Sequence, residues 1–213
     1  MTVGRGAVAA GLALLGLILG GCSTESAVSP RCFPATGHMV SGEFRRAFEE
    51  LGGVESLGYP LTEPFEQDGR RVQYFEYARL EDHPDNPGGP VVKLSFLGER
   101  LGRCQPPLAA SRVPPAFEAG SRYYPQMGHA VSGDFLTYFD RKGGLGRFGY
   151  PIGEPLVVEG KLAQDFQRAR LVWQADRPPG DRVELEATGR VYFDVQGLDP
   201  ARLSPALCPA GSD

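Results

Sequence analysis

Hydrophobic positions follow the same order twice along the chain. Apolar residues between Phe44 and Leu51 stand at i, i+3, i+4 and i+7, the spacing of one helix face. Most of this stripe returns from Phe135 to Phe139, at an offset of 91 residues (135 − 44). A Ser-Gly pair precedes each stripe and a Gly-Gly pair follows it. We therefore predict two helices of about ten residues, each with Ser as the N-cap and a left-handed Gly at its end.

Aromatic and β-branched residues follow each predicted helix, after a loop that contains Gly-Tyr-Pro at 58–60 and again at 149–151. This composition predicts strands. Four segments have it: 72–80, 91–96, 162–173 and 182–187. Each half of the chain is therefore predicted to be an α+β module with a short helix, a Tyr-Pro loop and a small antiparallel β-sheet.

The two halves are tandem copies of one module. The segment Gly-His-Met-Val-Ser-Gly-Glu-Phe at 37–44 returns as Gly-His-Ala-Val-Ser-Gly-Asp-Phe at 128–135, and 26 of the 62 aligned positions from 37 to 98 are identical. Because a module of this size buries only a modest core alone, we expect the copies to pack together. The predicted organisation is module 1 at 31–104, a Pro-rich linker at 105–121, module 2 at 122–208 and a tail at 209–213.

Composition and charge narrow the functional classes. Hydrophobic residues make up 41% of the chain and charged residues 23%, which are values of folded proteins. The net charge of −4 comes without clustered Lys and Arg, so we expect no nucleic-acid partner. The 29 Gly and 19 Pro residues favour many turns and short elements over long helices.

The N-terminal residues 1–21 have the pattern of a bacterial signal peptide. Arg5 precedes a short apolar run that ends at Gly21, and a membrane-spanning helix needs about 20 apolar residues. The run ends in Leu-Gly-Gly-Cys, which resembles a lipobox, where the Cys becomes the lipidated first residue. We expect lipidation of Cys22, a tether at 22–30, and an extracytoplasmic protein anchored to a bacterial membrane. The alternative is an ordinary cleaved signal with a chance Cys.

The remaining cysteines are Cys32, Cys104 and Cys208. An oxidising compartment permits one disulfide and leaves one thiol. Because Cys32 and Cys104 bracket module 1, we predict that pair. A bond between Cys32 and Cys208, which would clasp the two ends, is the alternative. The spacing of the cysteines is not that of metal ligands, so we predict no metal site.

Three segments together resemble the LGFP-type repeat. They are Gly-His-x-Val-x-Gly at 37–42, Gly-Gly-x-x-x-Leu-Gly-Tyr-Pro-Leu-Thr-Glu at 52–63, and Gln-x-Phe at 73–75. All three return in the second copy, with Phe148 in place of the Leu and Gly153 in place of the Thr. Cys-Phe-Pro-x-Thr-Gly-His at 32–38 and Gln-Tyr-Phe-Glu-x-Ala-Arg-Leu-Glu at 73–81 also resemble a repeat module of extracellular proteins from Chloroflexi-like bacteria. The resemblance covers roughly residues 31–100 and 122–191.

This resemblance implies a function at the cell surface. LGFP-type repeats bind or organise the cell envelope and are appended to enzymes without being catalysts themselves. We therefore expect a non-enzymatic protein without a cofactor that binds a cell-wall or surface glycan. Two alternatives are an envelope hydrolase with a His/Glu site between the modules, and a protein-interaction subunit of a membrane-anchored complex, whose partner is another envelope protein.

His38 and His129 stand just before the predicted helices, where a His could act as a base. Since both copies keep the residue with the same neighbours, we favour a structural hydrogen bond, with a pair of equivalent ligand sites as the alternative. Glu63 and Glu154 occur once per module, so an acid–base pair would require the modules to face each other. We favour a loop anchor, to Arg79 in module 1 and to its counterpart in module 2.

Aromatic side chains are the candidates for stacking on a sugar, because their faces are apolar and their tips polar. They are Tyr59, Tyr74, Tyr77, Tyr150 and Trp173. Packing in the core is the alternative for each. Tyr74 and Tyr77 lack aromatic counterparts in module 2, so we expect them to be exposed.

Charged residues complete the candidate set. Arg79 and Arg170 could bind a carboxylate or a sugar hydroxyl. The acidic segment at 81–85 lacks the spacing of a calcium loop, and we expect a solvated loop there rather than a cation site.

Overall fold

The computed structural model describes residues 1–2, 28–88, 91–115, 118–206 and 208. The predicted signal peptide (apart from residues 1–2), Cys22, most of the tether and the tail at 209–213 lie outside the described residues. Within the described part of the chain, no helix is both long and apolar enough to cross a membrane.

Module 1 consists of a hairpin, two helices, a four-stranded antiparallel sheet and a final short helix. In chain order these are β1 (Arg31–Phe33), β2 (His38–Val40), α1 (Gly42–Glu50), α2 (Gly53–Leu57), β3 (Phe65–Gln67), β4 (Arg70–Tyr74), β5 (Arg79–Asp82), β6 (Val92–Leu94) and α3 (Leu97–Arg100).

Module 2 repeats this order. Its elements are β7 (Ser121–Tyr124), β8 (His129–Ser132), α4 (Gly133–Arg141), α5 (Gly144–Phe148), β9 (Leu156–Val158), β10 (Lys161–Asp165), β11 (Arg170–Trp173), β12 (Val183–Leu185) and α6 (Thr188–Val195). From β2 onward, each element begins 91 residues before its counterpart. The register repeats as well, since Gln73 pairs with Leu80 and Gln164 with Leu171. The chain has the α+β fold of two modules with small antiparallel sheets that the sequence predicts.

Aromatic stacking joins helix and sheet inside each module. The rings of Phe48 on α1 and Phe75 are stacked with centroids 5.3 Å apart, and Phe139 and Phe166 repeat this geometry at 5.3 Å. All four side chains are buried. Burial of such rings supplies much of the stability of a small core.

The two modules exchange their C-terminal helices. The α3 backbone contacts module 2, where the N–H of Gly98 donates to the Gln167 carbonyl at 2.9 Å. The α6 backbone contacts module 1, where the N–H of Arg190 donates to the Glu76 carbonyl at 3.2 Å. Tyr192 and Phe193 of α6 pack with Tyr74 in a hydrophobic cluster on module 1. The copies therefore interlock instead of lying side by side.

Local signals in the sequence locate α1 and α4 but not the shorter helices α2, α3, α5 and α6. Ser41 and Ser132 occupy the N-cap positions, but their side chains accept no capping hydrogen bond. Gly52 and Gly143 are left-handed, as predicted, with φ of 96° and 107°. Two segments predicted as single strands are hairpins: 72–80 is formed by parts of β4 and β5, and 162–173 by parts of β10 and β11.

The predicted linker is partly a structural strap on module 2. The N–H of Gln105 donates to the Ile152 carbonyl at 2.8 Å, and that of Leu108 donates to the Gly128 carbonyl at 2.9 Å. The segment that follows α6 has the equivalent place on module 1, where Pro205 lies against Gly37.

The disulfide joins Cys32 to Cys208, across 176 residues of sequence. Our expectation of a bond between Cys32 and Cys104 is wrong, and Cys104 is a free, exposed thiol. The physical reason is the return of the chain end to module 1, which brings Cys208 beside the first hairpin. The bond clasps the two ends of the folded chain.

Candidate functional site

The repeated His and Glu residues tie a loop to a hairpin in each module. In module 2, Glu154 Oε1 accepts from the Ala130 N–H at 3.0 Å and lies 3.2 Å from His129 Nδ1. In module 1, Glu63 Oε1 accepts from the Met39 N–H at 2.9 Å and lies 3.5 Å from His38 Nδ1.

Both imidazole rings are enclosed by this arrangement. His38 is 2% exposed and His129 is 1% exposed. His129 Nε2 lies 3.2 Å from the Gln105 carbonyl oxygen of the strap. The structural hydrogen bond that we favour for these residues is present in module 2, and each pair lies within a single module.

A buried Gln completes this frame, a role that the sequence analysis missed. Gln164 Nε2 donates to the carbonyl oxygens of Ala130 and Gly153, at 2.7 and 3.0 Å. Gln73 Nε2 makes the same two bonds in module 1, both at 2.9 Å. The signal for this role was the occurrence of Gln-x-Phe in both copies. The residues that the copies share are thus occupied in holding the module together.

The candidate aromatic residues lie in different environments. Tyr74 is fully buried, and its hydroxyl donates to Gln67 Oε1 at 2.8 Å. Burial raises the pKa of Tyr74 to about 12. Our expectation of an exposed Tyr74 is wrong because α6 of module 2 covers it. Tyr77, which we also expected to be exposed, is half-buried and lines the cavity between the modules.

The other three aromatic candidates rest against neighbours in their own modules. Tyr59 is 37% exposed and meets the edge of Phe33. Tyr150 meets the edge of Tyr124 in the same way. Trp173 Nε1 donates to Asp134 Oδ2 at 2.9 Å.

The two candidate arginines form internal ion pairs. Arg79 is 1% exposed, and its Nη1 lies 3.1 Å from Glu81 Oε1. Arg170 Nε lies 2.8 Å from Asp165 Oδ1. The expected anchors to Glu63 and Glu154 are therefore wrong. The expectation of a solvated segment at 81–85 is wrong for Glu81, which is buried.

Two adjoining cavities form a cleft between the modules. The inner cavity, of about 280 Å³, is lined by residues from both copies, including six pairs separated by 91 positions. These pairs are Leu51 with Lys142, Ser56 with Arg147, Leu57 with Phe148, Tyr77 with Arg168, Ala78 with Ala169, and Leu94 with Leu185. Since both members of each pair meet at one cavity, the modules are related here by a local pseudo-twofold axis.

The second cavity is larger and opens on the side of module 1, and we call it the module 1 pocket. It has a volume of about 710 Å³, within the range of small-molecule sites. Its acidic lining residues are Glu50, Glu81 and Glu99, and its basic ones are Lys93, Arg100 and Arg168. Three carboxylates thus balance three cations, aside from His83. In the described part of the chain, no group of three or more His, Cys, Asp or Glu side chains could hold a metal ion.

An aromatic ring and a guanidinium group lie together at this pocket. Phe96 is 41% exposed, and the guanidinium carbon of Arg168 lies 5.1 Å from its ring centroid. Arg168 Nη1 donates to the carbonyl oxygens of Leu145 and Gly146, at 3.2 and 2.6 Å. Burial lowers the pKa of Arg168. The guanidinium group covers one face of the Phe96 ring, and aromatic rings and guanidinium groups are the kinds of surface on which apolar faces of ligands stack.

Glu81 is the buried charge of the module 1 pocket. Its Oε1 accepts from Arg79 Nη1 and Arg100 Nη2, both at 3.1 Å, and from the Ser95 hydroxyl. Burial alone would raise the pKa of Glu81, but the Ser95 hydrogen bond and the charges of Arg79 and Arg100 lower it below its ordinary value. The pocket therefore holds an ionised carboxylate.

The pseudo-twofold axis relates the module 1 pocket to a smaller one, the module 2 pocket, of about 360 Å³. Its lining includes Tyr138, Val183 and Glu184, the counterparts of Ala47, Val92 and Lys93. The His–Glu pairs described above line neither pocket nor the inner cavity.

No protein-family model and no curated protein matches this chain.

Proposed function

We propose that this protein is exported, lipid-anchored through Cys22, and binds a polymer of the bacterial cell envelope without catalysing a reaction. The cleft between the modules is the proposed binding site. The neutral segments of an envelope glycan are the proposed ligand. The resemblance to LGFP-type repeats and the N-terminal pattern support the location and the polymer.

The single observation that carries the proposal is the lining of the module 1 pocket. A sugar ring has an apolar face and polar edges, and Phe96 offers an exposed aromatic surface beside buried and exposed charged groups. Equal numbers of acidic and basic side chains favour a neutral ligand over a strongly charged one. A volume of about 710 Å³ accommodates a ligand segment of small-molecule size.

The positions of the His–Glu pairs lead us to prefer binding to hydrolysis. A hydrolase with its His/Glu site between the modules would need these side chains in the cleft. His38 and His129 are instead buried within their own modules. We infer that they stabilise the fold.

A cell-wall pull-down tests the proposal. The chain from residue 23 onward, which is the proposed mature protein without its lipid, is mixed with insoluble cell wall. We expect the wild type to be retained and Phe96→Ala to reduce its affinity about tenfold, corresponding to about 1.4 kcal/mol. Tyr59→Ala is a matched control, because Tyr59 has similar exposure, 37% against 41%, but lies outside the cleft.

Two outcomes would contradict this function. Absence of wild-type retention would remove the glycan-binding proposal. Equal loss of affinity in the Phe96 and Tyr59 variants would remove the cleft as its site. A glycan array with the same soluble form then identifies the sugar.

The anchor is tested separately. Cys22→Ser should move the full-length protein from the membrane fraction to the soluble fraction. Retention in membranes of a variant from which residues 1–21 have been removed would show that lipid on Cys22 is not the anchor.

A further inference from the structure

We infer that the cleft binds one ligand per chain, in the module 1 pocket, and that Glu81 Oε2 accepts a hydrogen bond from a hydroxyl of that ligand. This inference rests on the proposed function, and it assigns the site to one half of a pseudo-symmetric molecule. A duplicated protein would ordinarily be expected to carry two equivalent sites. The two pockets differ in their lining residues, in the contacts that their charged side chains make, and in volume.

The groups that would contact a ligand are specific to module 1. At an offset of 91 residues, Phe96 corresponds to Ala187, and Glu81 corresponds to Val172. The module 2 pocket therefore has no counterpart of the Phe96 ring or of the Glu81 carboxylate, although the rings of Tyr77 and Tyr138 line it. Its volume is about half that of the module 1 pocket, 360 against 710 Å³.

Charged side chains also occupy the module 2 pocket with contacts of their own. Arg147 Nη2 donates to the carbonyl oxygens of Glu55 and Ser56, at 2.9 and 3.0 Å. Arg177 Nη2 lies 2.6 Å from Glu184 Oε2. A ligand would have to displace these contacts, which link the modules to each other or close the rim.

The two carboxylate oxygens of Glu81 have different hydrogen-bond partners among the described residues. The bonds from Arg79, Ser95 and Arg100 all converge on Oε1. Among the described residues, the polar neighbour of Oε2 is His83 Nε2, at the longer distance of 3.5 Å. A carboxylate oxygen accepts two hydrogen bonds. Oε2 therefore has capacity for a hydroxyl donor in the pocket that Glu81 lines.

Methyl NMR locates the ligand in the unmodified protein. Val92 lines the module 1 pocket, and its counterpart Val183 lines the module 2 pocket. The probe is the mixture of soluble fragments released from cell wall by muramidase. We expect these fragments to shift the methyl signals of Val92 and to leave those of Val183 unchanged. Shifts of both valines would contradict a single site. Shifts of Val183 alone would place the ligand in the module 2 pocket and would also contradict the inference.

Variants test the residues in the pull-down. Phe96→Ala should weaken retention about tenfold, whereas Tyr138→Ala, which removes an aromatic ring from the module 2 pocket, should leave it within twofold. Glu81→Gln should weaken retention at least fivefold in protein that circular dichroism shows to be folded. Unchanged affinity of that variant would contradict the role of Glu81.

If Glu81→Gln does not fold, the same hydrogen bond is tested by modifying the ligand instead of the protein. Fragments whose hydroxyls have been methylated keep their rings but have no hydroxyl donors. Wild-type protein should lose at least fivefold in affinity for them, and equal affinity would contradict the inference. If untreated wall fails to retain the wild type, the proposed function itself is wrong. If it is retained and both valines respond, only the single-site inference is wrong.

Discussion

Gly98 and Gly189 should be indispensable for the interlock between the modules. Both lie in helices without a positive φ, so an Ala there is acceptable to the backbone itself. A Cβ on Gly189 would lie 2.0 Å from the Phe75 carbonyl oxygen, and one on Gly98 would lie 2.0 Å from that of Phe166. The normal contact distance is about 3.5 Å, so each helix would have to retreat by about 1.5 Å.

The cost of Gly189→Ala can be worked out from what α6 contacts. Movement of α6 away from module 1 breaks the hydrogen bond from the Arg190 N–H to the Glu76 carbonyl, which is worth about 1 kcal/mol. It also loosens Tyr192 and Phe193 against module 1, at an overpacking cost of about 1–3 kcal/mol. We therefore expect destabilisation by about 2–4 kcal/mol. For a chain of this size, that lowers Tm by about 5–15 °C.

Urea unfolding measured by Trp173 fluorescence and by circular dichroism checks this estimate. The chain contains one Trp, so fluorescence reports on module 2 while circular dichroism reports on both modules. Gly146→Ala is the matched control, since Gly146 is also helical but a Cβ there would have no atom within 4 Å. That variant should be neutral or more stable by about 0.5–1 kcal/mol. Equal stabilities of the Gly146 and Gly189 variants would refute the reasoning.

Three further predictions follow from the contacts described above. Glu81→Gln should cost about 3–5 kcal/mol, because it leaves Arg79 buried without a counter-charge, and chemical denaturation measures this. The pKa of Glu81 is lowered in the folded state, so its contribution to stability is present above the ordinary carboxyl pKa and is lost as pH falls. Wild-type stability should therefore decline on acidification more steeply than that of Glu81→Gln, and parallel pH profiles would contradict this. Cys208→Ser should remove up to about 5 kcal/mol, given a loop of 176 residues, and the unreduced, denatured chain from residue 23 onward should take up one alkyl group, at Cys104. Mass spectrometry of the alkylated peptides checks the pairing, and a label on Cys32 would show it to be wrong.

Residues shared by both copies were the most informative part of the sequence. The helix stripes and the Gly-Gly ends follow local rules, so the positions of α1 and α4 could be predicted from spacing alone. The Gln of Gln-x-Phe and the Glu after Tyr-Pro recur because each satisfies backbone groups at a fixed place in the module. Repetition at a constant offset indicated a structural role for these residues, although it did not reveal their partners.

What could not be predicted depends on contacts between the copies. Tyr74 and its counterpart Asp165 differ because α6 covers Tyr74 with Tyr192 and Phe193, while Asp165 pairs with Arg170. Neither helix exchange nor the return of Cys208 to Cys32 has a local signal, because each joins residues at least 69 positions apart (167 − 98). The identity of Gly98 and Gly189 in the two copies was the one sequence trace of the exchange, since only a residue without a side chain lets each helix approach the opposite carbonyl. The residues that the copies share therefore determine the fold of each module, and the residues that differ between the copies produce an asymmetric cleft at their junction. Because of this asymmetry, we expect ligand binding at Phe96 and Glu81, and not at the residues that the copies share.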